Sequence, residues 1–227
     1  MTYLNSNQLK QYSDEGFVSP VNIFSKEKAK EIRDEIELIE KKLPNELEKT
    51  GRYNAHLISP MLDEVTHNEN ILNAVESLIG GNILVCGTTL FIKNPGEGGF
   101  VSYHQDAKYI GLEPHNWVTA WVAITDSNEN NGCMKMWSGS HKDNLKEHDQ
   151  KFNEGNLLTR GQTVKNVPKL ETTPLILEAG QMSLHHPTVV HGSELNKSND
   201  RRIGFVIQSY IGTNVEQVIG KVYVQQA

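Results

Sequence analysis

The pattern of apolar residues changes near residue 80, and this change is the strongest constraint on the fold. Before it, apolar residues recur at three- and four-residue steps, which predicts helices over residues 25–43 and 69–79. Ser6 as a cap and Gly16 as a stop predict a shorter helix ahead of them. After it, short β-branched and apolar segments are separated by Gly- and Pro-containing turns, which is typical of strands.

These short strands predict a mainly β fold with flanking helices, as in a sandwich or jelly roll. We expect a single domain over residues 1–227, with a helical part to about residue 80 and a jelly-roll core over about 81–211. Residues 138–173 are polar and form a long excursion, and such loops are usually functional or disordered. The predicted strands are 83–93, 100–106, 117–125, 133–137, 174–177, 181–185 and 202–211.

Charge and composition exclude some partners. The formal net charge of −6 argues against a nucleic-acid partner, which would require a basic face. No apolar run is long enough to cross a membrane, and the first residues lack the features of a signal peptide. Cys86 and Cys133 cannot form a disulfide framework and are typical of a reducing compartment. We therefore expect a cytoplasmic protein with neither nucleic acid nor membrane as a partner.

The stretch Tyr103-His104-Gln105-Asp106 resembles half of a metal site. Side chains alternate along a strand, so we expect His104 and Asp106 on one face and Gln105 on the other. One imidazole and one carboxylate are two ligands of the 2-His-1-carboxylate triad, which binds non-haem Fe(II) and leaves positions open for substrate and O2. Because His-x-Asp is common by chance, the interpretation needs a second histidine from elsewhere in the chain.

Three histidines lie close together further along: His185, His186 and His191. An oxidising Fe(II) enzyme needs electrons, which 2-oxoglutarate supplies when it is decarboxylated. The distal carboxylate of 2-oxoglutarate needs a fixed cation, best an arginine in a bidentate pair. His191 precedes a polar connection and Arg202 begins the next strand, so both can approach one pocket. Arg201 would face the other side of that strand.

Several motifs together carry a family resemblance that covers roughly residues 53–211. They are Phe91-x-Lys93-x-Pro95-Gly96, Tyr103-His104-Gln105-Asp106, Val118-Thr119-Ala120-Trp121, Asn131-Gly132-Cys133-Met134, Gly139-Ser140-His141, and His191-Gly192-Ser193 followed by Asn196 and Arg202. With these motifs the chain resembles the phytanoyl-CoA dioxygenase family of Fe(II)/2-oxoglutarate oxygenases. The resemblance implies a double-stranded β-helix, or jelly roll, which agrees with the strand pattern.

The resemblance also implies residue roles. His104, Asp106 and His191 match the iron ligands of the family. Arg202 matches the residue that pairs with the distal carboxylate of 2-oxoglutarate, and Ser193 matches a hydroxyl that assists it.

Further residues match positions around the co-substrate or are candidates for the substrate side. Trp121 matches a ring that lines the co-substrate pocket, and Thr89 and His56 fall near positions that touch the co-substrate. Tyr109 either lines the substrate side or belongs to ordinary packing. Arg160 either meets an anionic group of the substrate or is a solvated loop charge.

The predicted activity is Fe(II)- and 2-oxoglutarate-dependent hydroxylation of a small polar or anionic molecule, with O2 as the second substrate. Related halogenases replace the triad carboxylate by a small residue, so Asp106 favours hydroxylation over halogenation. A metal enzyme of the cupin type is disfavoured by the spacing of Arg202. A non-catalytic binding protein on the same fold also stays open, and the loss of a metal ligand would indicate it.

Overall fold

The computed structural model describes residues 3–44, 52–143, 145–149, 154–158, 162–218 and 225–226. Among these residues, no helix combines the length and the apolar character needed to cross a membrane. The helices are α1 (Ser6–Glu15), α2 (Lys26–Lys42), α3 (Pro60–Thr66), α4 (Glu69–Ile79) and α5 (Ala107–Ile110). The strands are β1 (Phe17–Asn22), β2 (Leu84–Lys93), β3 (Val101–His104), β4 (Leu112–Glu113), β5 (Trp117–Ala123), β6 (Met134–Met136), β7 (His148–Asp149), β8 (Thr163–Val164), β9 (Thr173–Pro174), β10 (Gln181–His185), β11 (His191–Ser193), β12 (Arg202–Ile211), β13 (Glu216–Gln217) and β14 (Gln225–Gln226).

Two antiparallel sheets form the β core. The larger sheet has six strands in the order β1-β10-β5-β12-β2-β14, and the smaller has four in the order β3-β11-β6-β9. Most neighbouring strands are distant in the chain, so the chain passes repeatedly from one sheet to the other. This is the double-stranded β-helix, or jelly roll, and the predicted fold class is confirmed.

The larger sheet separates two regions of different character. On one face, Ile203, Phe205 and Ile207 of β12 belong to an apolar core completed by the buried residues of α2, α3 and α4. Because side chains alternate along a strand, Arg202 and Val206 point the other way, towards the smaller sheet. The space between the sheets is therefore the place where polar side chains of the larger sheet can meet those of the smaller one.

The helix boundaries follow from local capping. The helix α2 begins after Ser25, whose side chain accepts a hydrogen bond from the helix backbone, as predicted. The N-cap of α1 is Asn5, one residue before the predicted cap Ser6. Asn5 Oδ1 accepts a hydrogen bond from Gln8 N at 3.0 Å, and Ser6 is already helical. Gly16 ends α1 with a φ of +85°, a conformation that glycine adopts without a steric penalty.

Strand β1 lies within the part of the chain that was expected to be helical. It forms an edge of the larger sheet, with Phe17 opposite His185 of β10. The register shifts between Val18 and Val21, where Pro20 has no N–H to donate, and an edge strand tolerates this. Within the described residues, the first part of the chain therefore supplies a strand to the main sheet as well as the helices α1 to α4.

Residues 156 and 157 of the polar excursion form hydrogen bonds with the chain in and beside β3 of the smaller sheet. Asn156 Nδ2 donates to Ser102 Oγ at 2.9 Å, and Leu157 N donates to Phe100 O at 2.8 Å. These contacts lie along β3, so the described residues 154–158 cover one side of the space between the sheets. The rest of the excursion that the structure describes contains only two-residue strands and single 3-10 turns.

We expect Phe205→Ala to lower the free energy of unfolding by about 3–5 kcal/mol, because it empties a fully buried site between the larger sheet and the helices. Urea denaturation followed by circular dichroism measures this. The exposed Lys197→Ala serves as a control and should change the value by less than about 0.5 kcal/mol. Equal effects of the two substitutions would contradict the assignment of this core.

Candidate metal centre

Three predicted ligands meet at one point between the sheets. His104, Asp106 and His191 place one potential ligand atom each within 4.8 Å of the others. Asp106 Oδ1 lies 3.4 Å from His104 Nε2 and 3.7 Å from His191 Nε2. Donor atoms bound at right angles to one ion are about 3 Å apart, given metal–ligand distances of about 2.1 Å. The group therefore needs only a small contraction to hold a divalent metal.

Strand register and backbone contacts aim the two histidines. His191 of β11 lies directly opposite His104 of β3. In each ring, Nδ1 lies close to the carbonyl oxygen two residues earlier, 2.9 Å from Ser102 O and 3.1 Å from Val189 O. A proton on Nδ1 donates to that carbonyl and leaves the lone pair of Nε2 for a metal.

Asp106 reaches the site in a different way from the one its sequence position predicts. Strand β3 ends at His104, and Asp106 has helical backbone angles of −57° and −38° at the start of α5. The prediction that the strand continues through Asp106 is therefore wrong. The carboxylate lies beside His104 because the chain turns into a helix there, and not because the side chains alternate along a strand.

The second carboxylate oxygen of Asp106 is held by the larger sheet. Thr119 Oγ1 of β5 donates to Asp106 Oδ2 at 2.8 Å. His185 Nε2 of β10 lies 3.2 Å from the same oxygen and donates to it when Nε2 carries the ring proton. Oδ2 is thus occupied by two protein contacts, and Oδ1 is the oxygen left to face the two histidine ligands.

Burial and charge favour the ionisation states that bind metals. Burial alone would raise the pKa of Asp106, but His191, His104 and His185 together hold it well below its usual range. Burial, with His104 adding to it, lowers the pKa of His191 well below its usual range. At neutral pH Asp106 is therefore an anion and His191 a neutral imidazole.

Arg202 forms a cationic wall of the same space. Its side chain is 2% exposed, Nη1 donates to Gly132 O at 3.1 Å, and Nε has no hydrogen-bond partner among the described residues. Burial lowers the pKa of Arg202 to about 10, so it stays charged at neutral pH. A buried cation with an unused donor fits an anionic ligand such as a carboxylate.

Trp121 packs against Arg202 because residue 204 is glycine. The Arg202 guanidinium carbon lies 5.2 Å from the centre of the indole ring. A Cβ at Gly204 would lie 2.1 Å from Trp121 Cζ2, which no side chain tolerates. Gly204 therefore allows the ring to lie across β12 and to line the wall next to Arg202.

A cavity of about 250 Å³ connects the metal centre to Arg202. The three ligands, His185 and Thr119 line the same cavity as Arg202, Ser193 and Trp121. The remaining lining consists mainly of apolar and aromatic side chains with one amide. These residues are Tyr53, Phe91, Val101, Tyr109, Ile110, Met134, Leu157, Leu158, Val206 and Gln208, together with the backbone of Gly192.

Two residues predicted to contact the co-substrate differ in their position. Ser193 lines the cavity, and its Oγ accepts a hydrogen bond from Lys93 Nζ at 2.7 Å. Thr89 is buried on the same face of β2 as the cavity-lining Phe91, but it is not part of the lining itself. Its Oγ1 has no hydrogen-bond partner among the described residues. Ser193 is therefore within reach of a ligand, whereas Thr89 lies one layer behind.

His56 is not among the residues that line the cavity. Its Nδ1 is 2.8 Å from Thr88 Oγ1, and Thr88 points to the opposite face of β2 from Thr89. The family resemblance suggested His56, and its contact with the co-substrate stays a prediction.

Of the two residues predicted for the substrate side, the structure describes only Tyr109. Tyr109 lies on α5, lines the cavity and contacts the His104 ring edge to face, with ring centres 5.7 Å apart. Its hydroxyl accepts from Gln162 N at 3.2 Å. Arg160 lies outside the described residues, so its predicted role stays a prediction.

Three residues of the site were not predicted: Thr119, His185 and Lys93. Thr119 alternates with Trp121 on β5, and Lys93 alternates with Phe91 on β2, so strand periodicity could have indicated both. His185 is one of the three neighbouring histidines of the sequence, and it lines the cavity with His191, whereas His186 does not.

Comparison with known proteins agrees with this geometry. A family model described as "Phytanoyl-CoA dioxygenase (PhyH)" matches residues 12–204. The peroxisomal phytanoyl-CoA dioxygenase of Rattus norvegicus is 28% identical in an alignment of 223 positions, which covers 88% of this chain and 66% of that protein. The chain spans 40 to 66% of the length of the mammalian phytanoyl-CoA dioxygenases it matches.

Two further proteins are similar over most of their length. The "Probable alpha-ketoglutarate-dependent hypophosphite dioxygenase" of Stutzerimonas stutzeri is 25% identical over 95% of this chain and 81% of that protein. The solved structure of the non-heme monooxygenase ThoJ, in its apo form, superposes with a TM-score of 0.84 at 28% identity. It covers 97% of this chain and 84% of its own.

We expect Thr119→Val to weaken metal binding by about 10- to 100-fold, because it removes a donor that orients Asp106 while keeping the size of the side chain. Titration of the apo protein with Co(II), followed by visible absorption, measures the affinity. Thr213→Val on the surface is the matched control and should leave the affinity unchanged. Co(II) binding by Thr119→Val with wild-type affinity would contradict the orienting role.

Proposed function

The chain belongs to the phytanoyl-CoA dioxygenase family, and from this premise we propose that it is an Fe(II)- and 2-oxoglutarate-dependent oxygenase that hydroxylates a small polar or anionic molecule. One observation carries the proposal. A buried arginine with an unused donor lines the same cavity as two histidines and a carboxylate. The two histidines and the carboxylate can bind a metal, and the arginine can bind the distal carboxylate of a 2-oxo dicarboxylate that chelates the metal.

The donor set fits iron. Two imidazoles and one carboxylate on a single face are the ligands of the facial triad, which suits Fe(II) and leaves positions open. His104, Asp106 and His191 would hold the ion, and the bound Fe(II) supplies the electron-transfer chemistry that activates O2. The remaining tasks belong to the protein: binding, orientation and exclusion of water.

The protein's own residues divide these tasks. Thr119 and His185 hold Oδ2 of Asp106, so that Oδ1 stays directed at the metal position. Arg202 binds the distal carboxylate of 2-oxoglutarate, assisted by the Ser193 hydroxyl. Trp121 is 5% exposed and keeps water away from that carboxylate.

The substrate side of the cavity favours a small molecule. Tyr109, Leu157 and Gln208 line it with an aromatic ring, an aliphatic side chain and an amide. The Stutzerimonas stutzeri relative is named for hypophosphite, a small oxyanion, which supports the small anionic class. We propose that Tyr109 contacts the substrate and that Arg160 pairs with an anionic group on it.

Asp106 favours hydroxylation over halogenation, because its carboxylate fills the position that a halide would need. A complete set of three ligands likewise disfavours a protein that only binds small molecules. Succinate formation separates an oxygenase from a protein that only binds small molecules.

Succinate formation tests the proposal directly. The wild-type protein, supplied with Fe(II), 2-oxoglutarate and O2, should form succinate above the protein-free background even without its own substrate. We expect Asp106→Ala to reduce this rate by at least about 100-fold, since the loss of a ligand exceeds the 10- to 100-fold effect of residues behind the ligands. Wild-type protein that forms no succinate would favour the binding protein, and near-normal turnover by Asp106→Ala would remove Asp106 from the site.

The two neighbouring arginines offer a matched comparison. We expect Arg202→Ala to raise the dissociation constant of 2-oxoglutarate by about 100-fold, because it removes one partner of a buried charge pair. Arg201→Ala should change it less than about twofold, since Arg201 faces the opposite side, where its Nε donates to Asn94 Oδ1 at 2.6 Å. Isothermal titration calorimetry without oxygen measures both, and equal effects would contradict the proposed facing of β12.

A further inference from the structure

Lys93 is a second buried basic side chain next to Arg202. It is the last residue of β2, is 2% exposed, and lies directly opposite Arg202 in the β2–β12 register. Both side chains point towards the smaller sheet. Like charges directly opposite each other on neighbouring strands are destabilising, and burial makes the repulsion stronger. The pair therefore requires a stabilising arrangement around it.

Part of that arrangement is a set of oxygen acceptors around Lys93 Nζ. The ammonium donates to Ser193 Oγ at 2.7 Å, to Gly132 O at 3.4 Å and to the Glu194 carbonyl oxygen. Gly132 O also accepts from Arg202 Nη1 at 3.1 Å. Lys93, Ser193 and Arg202 thus form one connected network, two members of which line the cavity.

The missing part is an anion. Within the described residues, no carboxylate influences the pKa of Arg202, and the exposed Glu194 is the only one that acts on Lys93. Burial, with Arg202 adding to it, lowers the pKa of Lys93 to about 6, so the neutral amine is favoured at neutral pH until an anion binds nearby. An anion bound at Arg202 and Ser193 would lie close to both basic side chains and would favour the charged form of Lys93.

We infer that Lys93 is a positioning residue, which orients the Ser193 hydroxyl towards the distal carboxylate and so makes the site selective for 2-oxo acids that carry two carboxylates. Once the bound anion favours the charged form of Lys93, its ammonium can only donate hydrogen bonds, so Ser193 Oγ acts as the acceptor in their contact. The Ser193 hydroxyl proton is then directed away from Lys93, to the cavity side, where a carboxylate oxygen can accept it. Lys93 does not itself line the cavity, so it acts through Ser193.

This inference rests on the proposed function, because it assumes that 2-oxoglutarate is the ligand. It adds a consequence that a purely structural lysine would not have. A 2-oxo acid in which a methyl group replaces the distal carboxylate has nothing for Ser193 or Arg202 to bind. The contribution of Lys93 to affinity should therefore appear with 2-oxoglutarate and be absent with 2-oxopentanoate, which has the same number of carbon atoms.

The test is isothermal titration calorimetry of the Fe(II)-loaded protein without oxygen, with 2-oxoglutarate and with 2-oxopentanoate. We expect Lys93→Met, which keeps the length of the side chain, to weaken 2-oxoglutarate binding about tenfold and to change 2-oxopentanoate binding less than twofold. Ser193→Ala should weaken 2-oxoglutarate similarly, and the double variant should be no weaker than Ser193→Ala alone, because both changes remove one contact. Lys135→Met, a lysine on β6 paired with Glu129 at 3.1 Å, is the control and should match the wild type.

Three results would overturn the inference. Equal weakening of both acids by Lys93→Met would make Lys93 a structural residue, and an unchanged affinity for 2-oxoglutarate would remove it from the site. A double variant much weaker than Ser193→Ala would mean that Lys93 does not act through Ser193. If Lys93→Met fails to fold, Lys93→Leu, which also has no N–H donor, replaces it with the same comparison. Wild-type protein that binds 2-oxoglutarate no better than 2-oxopentanoate would instead refute the proposed function.

Discussion

Two hydrogen bonds across the gap between the sheets hold the candidate site together. Thr119 of the larger sheet donates to Asp106, which follows a strand of the smaller one, and Lys93 of the larger sheet donates to Ser193 of the smaller one. Stacked sheets are about 10 Å apart, so side chains that meet in the middle must come from both. The distance between the metal centre and the cationic wall is therefore set by the packing of the whole jelly roll and not by one loop.

The cavity combines two opposite charge requirements. Asp106 is an anion beside imidazole ligands, and this combination attracts a metal cation. Arg202 is a cation for which the described part of the chain provides no buried carboxylate, and Lys93 behind it is favoured in its charged form once an anion binds. A ligand that binds a metal and also carries a second carboxylate matches both requirements at once. The same reasoning explains why the network is buried: low dielectric strengthens each attraction once the ligand is bound.

Sequence patterns predicted the features that depend on local periodicity, and missed those that depend on tertiary contacts. The helices over 25–43 and 69–79 and the strand over 202–211 have long, regular patterns, and the structure contains all three. Strand β1 is short, contains Pro20 and acquires its structure by pairing with β10, so its own pattern was too weak. Helix α3 was missed because its seven residues are too few for a clear period.

The site shows the same division: His104, Asp106 and His191 could be named because their residue types restrict the chemistry. The helical conformation of Asp106 could not, since a turn immediately after a strand looks like one more strand residue.

The positions of the lining residues in the fold explain why the reaction can be predicted from the sequence and the substrate cannot. The metal ligands, Thr119 and Arg202 lie on strands or directly at their ends, where hydrogen bonds in the sheets fix the backbone. Tyr53, Leu157 and Leu158 come from connections between those elements, which tolerate substitution and insertion more readily. A family can therefore keep one reaction while its connections adapt to many substrates. For this reason the sequence motifs, which lie on or beside the strands, indicate the reaction, whereas the identity of the substrate depends on residues that the motifs do not include.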